Sequence, residues 1–461
     1  MEHDVLLRRA ASVFAQEFFL KNFPVQPRRC FTIGLECERP FMARSDLRGL
    51  PVIERCGDHL AELRRVYDDT YPKEIVSFLA AGYEITTDAS PSVAEVNILP
   101  HETLFGIASI GATAFTRLRE IAEKENAVFA GYGALVSAKD DLMDVAQRWK
   151  RKGRYDALRK AIPGVGIITP TASFQMHRAI QRKNVFQAME ALNLTVGFQI
   201  MPLAHSPVVL GRDTGMDAAR ELVWDQFSGP RSPIGQRCGV PPRAFSDAED
   251  YFVYMAKLTM IVRMVDDGVY ETPGIPFIDV MALELGSNPS DAHILGFFQK
   301  NKNWKIHEGS VWWSWRPRWE YGTLEFRPAC AQPNDTYLAA AAFANGLVEA
   351  HDLLQEFVSD LNLPREAWMA FRQAAVAHSV DARLNGRSAY PLLKQVIDIA
   401  EEGLRRRREG EEVFLRPIWE RYEHGTNPAR AARAAWEKGP EGFREYILST
   451  AESSEPWWRE R

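Results

Sequence analysis

Residues 307–330 read HEGSVWWSWRPRWEYGTLEFRPAC. The stretch predicts two short strands joined around Arg318–Gly322, with Val311, Trp312, Trp313 and Trp315 as bulky strand formers. Its second half, Gly322-Thr323-Leu324-Glu325-Phe326-Arg327, alternates strictly, and successive side chains of a strand point to opposite faces. Leu324 and Phe326 then face a packed side, while Thr323, Glu325 and Arg327 face the other. An unpaired buried charge is costly, so that second face must be wet or filled by a ligand. One strand alone is better explained as half exposed, with its charges solvated. The reading turns on whether other strands repeat the pattern.

Three others do. The stretch Cys30–Pro40 predicts a strand with Leu35 and Cys37 on one side and Glu36 and Glu38 on the other. Two like charges so placed repel, which either a cation between them or an exposed edge position explains. After a strand over Gly82–Asp88, the stretch Ser92–Pro100 alternates Val96 and Ile98 with Glu95 and Asn97. Within 165–181, Phe174 and Met176 oppose Gln175 and His177, although a lone histidine beside apolar residues is more often structural than a ligand. In one antiparallel sheet these strands would pack one face on helices. The other face would gather four carboxylates, a histidine and an arginine. Hard oxygen donors with few cysteines point to magnesium or manganese, an arrangement suited to nucleotide phosphates. The sequence has neither a GxxxxGK[ST] loop nor a strand–GxGxxG–helix unit, which excludes P-loop and Rossmann nucleotide sites.

Periodicity predicts helices over 4–23, 57–81, 103–126, 140–152, 183–205, 216–227 (holding Arg220 and Glu221), 246–265 and 289–302. Residues 228–243 read as an irregular loop rich in Gly, Pro and Arg. Beyond Asp335, a candidate cap, helix follows helix. The expected class is α+β: a sheet-and-helix unit over 1–334 and a helical region over 335–461 packed on it. The 461 residues are 46% hydrophobic and 25% charged, ordinary for a globular chain, and their net charge of −5 gives no electrostatic case for nucleic acid. Five scattered cysteines without a CxxC pair argue against a structural zinc site or a disulfide framework and fit a reduced cytoplasm. The first residues lack a signal-peptide pattern, and no uninterrupted apolar run is long enough to span a membrane.

Five segments in order, GLECE at 34–38, EVN at 95–97, SFQMH at 173–177, His307…Trp312-Trp313…Arg316-Pro317 and TLEFR at 323–327, resemble the glutamate–cysteine ligase type 2 group of carboxylate–amine ligases. Ala204–Pro207 and Arg220…Trp224 fit that group too. The resemblance implies a glutamine-synthetase-like sheet with one ligand-binding face, ATP, Mg²⁺ (or Mn²⁺), and attack of an amine on an acyl phosphate. It implies Glu36, Glu38, Glu95, Glu325 and His177 as metal ligands. Gln175, Trp312, Trp313 and Arg316 would hold ATP, with Arg316 and Arg327 catalytic. Arg220 and His307 would meet the substrate. The partners implied are a small-molecule or peptide carboxylate and an amine acceptor. Two positions depart from the group's pattern: Ser314 and Cys330 stand where acidic residues are common. Both put the amine substrate in question. A phosphotransferase on the same fold and a non-catalytic nucleotide-binding accessory protein remain as alternatives; the acyl donor, the amine and the oligomeric state stay open.

Overall fold

Residues 2–23, 25, 32–149, 152–226, 234–286 and 288–452 are described by the computed structural model. Cys30, Arg231 and the first part of the 228–243 loop lie outside them. Nine strands build the main sheet: β1 (Ile33–Ala43), β2 (Arg64–Tyr67), β3 (Ile75–Leu79), β4 (Tyr83–Thr87), β5 (Val93–His101), β6 (Ala127–Phe129), β7 (Ser173–Ala179), β8 (Trp315–Arg318) and β9 (Thr323–Cys330). Their order is β8-β9-β7-β1-β5-β4-β3-β2, every pair antiparallel, with β6 on the far end of β1. The helices that matter below are α1 (Glu2–Val13), α2 (Leu104–Lys124), α3 (Gly153–Ala161), α4 (Val185–Leu194), α5 (Val196–Leu203), α6 (Ala219–Asp225), α7 (Tyr337–Glu349) and α8 (Tyr390–Arg407).

Register brings the four alternating segments together. Glu36 pairs with Gln175 on one side and Asn97 on the other; Glu38 faces Glu95; Glu325 lies between His177 and Arg316. All of these side chains share one face. The opposite face carries Leu35, Cys37, Val96, Ile98, Phe174, Met176, Leu324 and Phe326, each at most 2% exposed. It is covered by α2, α4, α5 and α7. Arg178 also points to that packed side, where it is neutralised by Glu349 and donates to Asn345 Oδ1 at 2.7 Å. A buried guanidinium is tolerated there because its donors are met. The side chain of Thr103 caps α2 by accepting from the Gly106 amide.

Several expectations give way. The predicted helix over 57–81 is instead a turn followed by the edge strand β2 and its neighbour β3: Pro72 denies a helix its hydrogen bond, and Ile75–Leu79 pairs with β2 on one side and β4 on the other. β1 is a central strand, so its charges are not those of an edge. Strand β7 starts only at Ser173, and 183–205 breaks at Thr195 into α4 and α5. The helix expected over 246–265 ends at Lys257 and is capped by Asp247. Asp335 does not cap α7, which follows Thr336 without a side-chain cap.

Candidate active site

A cleft of about 990 Å³, mouth included, opens over the charged face. Its floor is Glu36, Glu38, Glu95, Ser173, Gln175, Glu325 and Arg327; its sides are Trp312, Arg316, Arg318, Arg220 and Asp88; Trp149, Arg154, Tyr155 and Leu158 close it from above.

Two charge environments meet on this floor. At one end, Glu325 accepts from Arg316 Nε at 2.7 Å and Nη2 at 3.0 Å, from Arg318 Nη1 at 3.0 Å, and from Arg327. Burial works to raise its carboxyl, yet Arg316, Arg327 and Arg318 hold it well below the usual range. His177 Nε2 lies 2.9 Å from Glu36 Oε1. Burial is again overcome there, and the hydrogen bond and charge of His177 keep Glu36 low. Glu36, His177 and Glu325 offer three ligand atoms within 4.8 Å of one another, a spacing that one divalent cation can bridge.

At the other end no ion pair to the carboxylates is present among the described residues. Glu38 accepts from the Ser173 hydroxyl at 2.6 Å and from Gln175 Nε2 at 3.1 Å. Burial and the charge of Asp88 push its carboxyl up to about 7, against the pull of Arg220 and Ser173. Burial lifts Glu95 well above its ordinary range, and Glu36, Asp88 and Glu38 add to the effect. Three carboxylates that oppose one another's ionisation are what a divalent cation would relieve, and oxygen donors suit magnesium or manganese. The donor set therefore fits the metals expected.

The structure does not bring every expected residue here. His307 sits on the helix Lys302–Glu308, fully buried; it stacks on Phe277, and its Nε2 lies 2.9 Å from the Met255 carbonyl. Trp313 is buried in the aromatic core, where its Nε1–H donates to the Gln236 carbonyl at 2.9 Å. Neither lines the cleft: His307 is held in the core by its helix, and of the tryptophan pair only Trp312 faces in, because a strand turns alternate side chains apart. Arg220 does reach the cleft, from α6. It is buried, not on the surface: it pairs with Glu221 and donates to the Arg327 carbonyl at 2.9 Å. Behind it, Cys330 Sγ lies 3.4 Å from Ser206 Oγ, so Arg220 has Glu221, not residue 330, as its carboxylate. Asp88, Arg154, Tyr155 and Arg318 were not anticipated. Asp88 had a sequence signal, an acid ending β4 seven residues before Glu95; the others arrive through long-range packing.

Sheet and cleft together define an α+β protein with a charged basin over one face of an antiparallel sheet. The chain belongs to the glutamate-cysteine ligase family 2, whose model matches residues 32–452. A chloroplastic glutamate–cysteine ligase of Brassica juncea is 24% identical over 356 residues, covering 73% of this chain and 63% of that protein. One of Arabidopsis thaliana is 24% identical over 356 residues, covering 73% and 62%. The match thus spans less than two thirds of the length of these relatives. Among solved structures, a glutamate–cysteine ligase of Francisella tularensis in complex with AMP superposes with a TM-score of 0.53 at 11% identity, covering 91% of this chain and 87% of that one. At that identity the likeness is one of fold. Among the described residues no helix is long and apolar enough to cross a membrane.

Proposed function

We propose that this protein is an ATP- and Mg²⁺-dependent carboxylate–amine ligase that activates a carboxylate as its acyl phosphate and transfers the acyl group to an amine. The observation that carries the reading is the clustering of Glu36, His177 and Glu325 beside Arg327, with Glu38, Glu95 and Asp88 next along the same floor. The family supports a γ-glutamyl donor and small-molecule partners as part of this reading, and the cysteine usage supports a cytoplasmic location. In the reaction a donor carboxylate oxygen attacks the γ-phosphorus and ADP leaves. The amine then attacks the acyl carbonyl, phosphate leaves, and the amine gives up a proton.

Glu36, Glu38, Glu95, Glu325 and His177 would hold the metal, with Asp88 a further candidate. Magnesium, or manganese, supplies Lewis-acid stabilisation of phosphoryl oxygens when bound. Arg327, held by Glu325 and Gln175, is placed to take up charge on the transferred phosphoryl group. Arg316 fixes Glu325 through two hydrogen bonds and, with Gln175 and Trp312, borders the space for ATP. Arg220 would grip a carboxylate of the acyl donor through its planar fork. Tyr155, Leu158 and Ile168 narrow the cleft and keep water from the acyl phosphate.

The test incubates purified protein with ATP, Mg²⁺, and a matrix of acids and amines that includes glutamate and cysteine, read by mass spectrometry. The expected products are ADP, phosphate and an amide. Stoichiometric AMP would overturn the acyl-phosphate route, and a phosphorylated acid formed without any amine would make the protein a phosphotransferase.

A further inference from the structure

Arg220 reaches the cleft with a counter-ion already attached. Both of its side-chain hydrogen bonds leave from Nη1, one to Glu221 Oε1 and one to the Arg327 carbonyl at 2.9 Å, which leaves Nε and Nη2 for a ligand. Glu221 is not given over to Arg220 alone. Its other oxygen, Oε2, accepts from Arg372 Nη2 at 3.1 Å, and Arg372 Nη1 lies 2.8 Å from each oxygen of Asp225. Arg372 comes from the helix Arg365–His378, is 4% exposed and does not border the cleft. Its guanidinium is fixed in plane as well as in place. Gly239, at φ +70°, packs on it so closely that a Cβ there would lie 3.2 Å from Cζ. The same glycine pairs with Trp313, and its carbonyl accepts from the Ser314 amide at 2.7 Å, on the stretch that brings Trp312 to the cleft. The order is Arg220, Glu221, Arg372, Asp225: cation, anion, cation, anion, with no net charge. Behind Arg220, Ser206 is neutral, and burial pushes the Cys330 thiol up and keeps it protonated. Charges buried in this way are little screened by salt, so each sets the strength of the next.

Resting on the ligase reading above, with Arg220 as the clamp for the donor carboxylate, we infer that Arg372 is a positioning residue for the donor, which it does not touch. By drawing one oxygen of Glu221 to itself, Arg372 confines Glu221 to a single hydrogen bond with Arg220. The Nε–Nη2 edge of Arg220 then stays positive and open. Without Arg372, Glu221 is free to take Arg220 with both oxygens, in the parallel two-bond geometry that a guanidinium and a carboxylate prefer. The donor would have to compete with the protein's own carboxylate for the same fork.

The experiment measures ADP release with ATP, Mg²⁺, glutamate and cysteine in wild type, Arg372→Met, Arg372→Lys and the double variant Glu221→Gln/Arg372→Met. Arg372→Met removes the charge and keeps an unbranched side chain. It should raise the glutamate KM about tenfold, the lower end of what a charged hydrogen bond is worth, and leave kcat and the ATP and cysteine KM within about twofold. The double variant removes one cation and one anion together, and its glutamine no longer competes as a carboxylate. Its glutamate KM should return to within about threefold of wild type. Arg372→Lys keeps a cation beside Glu221 without the fork and should fall between wild type and Arg372→Met. A wild-type glutamate KM in Arg372→Met, or a double variant as impaired as the single one, would overturn the inference and leave the ligase reading standing. Parallel losses in kcat and in every KM would make Arg372 structural only and overturn it as well. If Arg372→Met does not fold, a wild-type glutamate KM in Arg372→Lys, or a rise of about tenfold in the charge-balanced double variant, overturns it in the same way. No ADP release by wild type would sink the ligase reading and this inference with it.

Discussion

Glu38 is a carboxylate whose ionisation the folded protein opposes, at about 7 in place of 4.5. Glu38→Gln removes the repulsion with Asp88 and Glu95 but turns an amide N–H toward the Ser173 donors. The two effects oppose, and the melting stability should stay within about 1 kcal/mol of wild type. Activity at saturating Mg²⁺ should still fall by about two orders of magnitude or more, since a metal ligand contributes several kcal/mol. Turnover near wild type would remove Glu38 from the metal site. Arg220→Lys discriminates similarly. The buried pair with Glu221 keeps its charge, so the fold should hold, while the donor KM should rise at least about tenfold and the ATP KM stay level. An unchanged donor KM would reduce Arg220 to a structural partner of Glu221. At this scale the sequence was informative wherever a residue belonged to an alternating strand. It was misleading at Trp313, whose parity with Trp312 already forbade both from facing one cleft, and at His307, which is helical. Arg154 and Arg318 carry no local signal; their place depends on segments remote in sequence.

Elements were legible in proportion to how local their cause is. The four charged strands and α2 follow from alternation and apolar period. The stretch 57–81 was misread because isolated Leu and Val residues fit a helical period until Pro72 and the pairing of β3 with β4 decide otherwise. The contact of α7 with α8 shows a different dependence. Gly346 and Gly403 lie face to face, and a methyl on either would penetrate the backbone carbonyl of Ala400 or Gly346. Gly346→Ala should therefore destabilise by about 1–3 kcal/mol through overpacking, although alanine is the better helix former. Urea unfolding measures the loss, and activity per folded molecule should not change. Unaltered stability would mean that the two helices can separate freely.

On the scale of the molecule, the residues beyond 335 cover the back of the sheet and are tied to it by buried polar groups. Arg421 donates to the Pro202 carbonyl and to Gln332 Oε1, each at 3.0 Å. His205, fully buried, donates from Nδ1 to the Ala331 carbonyl at 3.0 Å, and its Nε2 lies 2.7 Å from the Tyr446 hydroxyl. Burial drives its pKa down to about 3 from 6.5. A depressed folded pKa gives stability that is present above 6.5 and lost as pH falls toward 3. This one site should cost about 1.4 kcal/mol per pH unit in that window. Between pH 6.5 and 5, wild type should lose about 2 kcal/mol more than His205→Gln in urea melts; parallel losses would show that His205 does not titrate with unfolding. The most direct test of the ligase account follows oxygen. Protein supplied with ATP, Mg²⁺, cysteine and glutamate labelled with ¹⁸O in its γ-carboxylate should deliver one ¹⁸O to inorganic phosphate for each amide formed, with ADP unlabelled. Label appearing in AMP, or amide formed with unlabelled phosphate, would contradict the acyl-phosphate route.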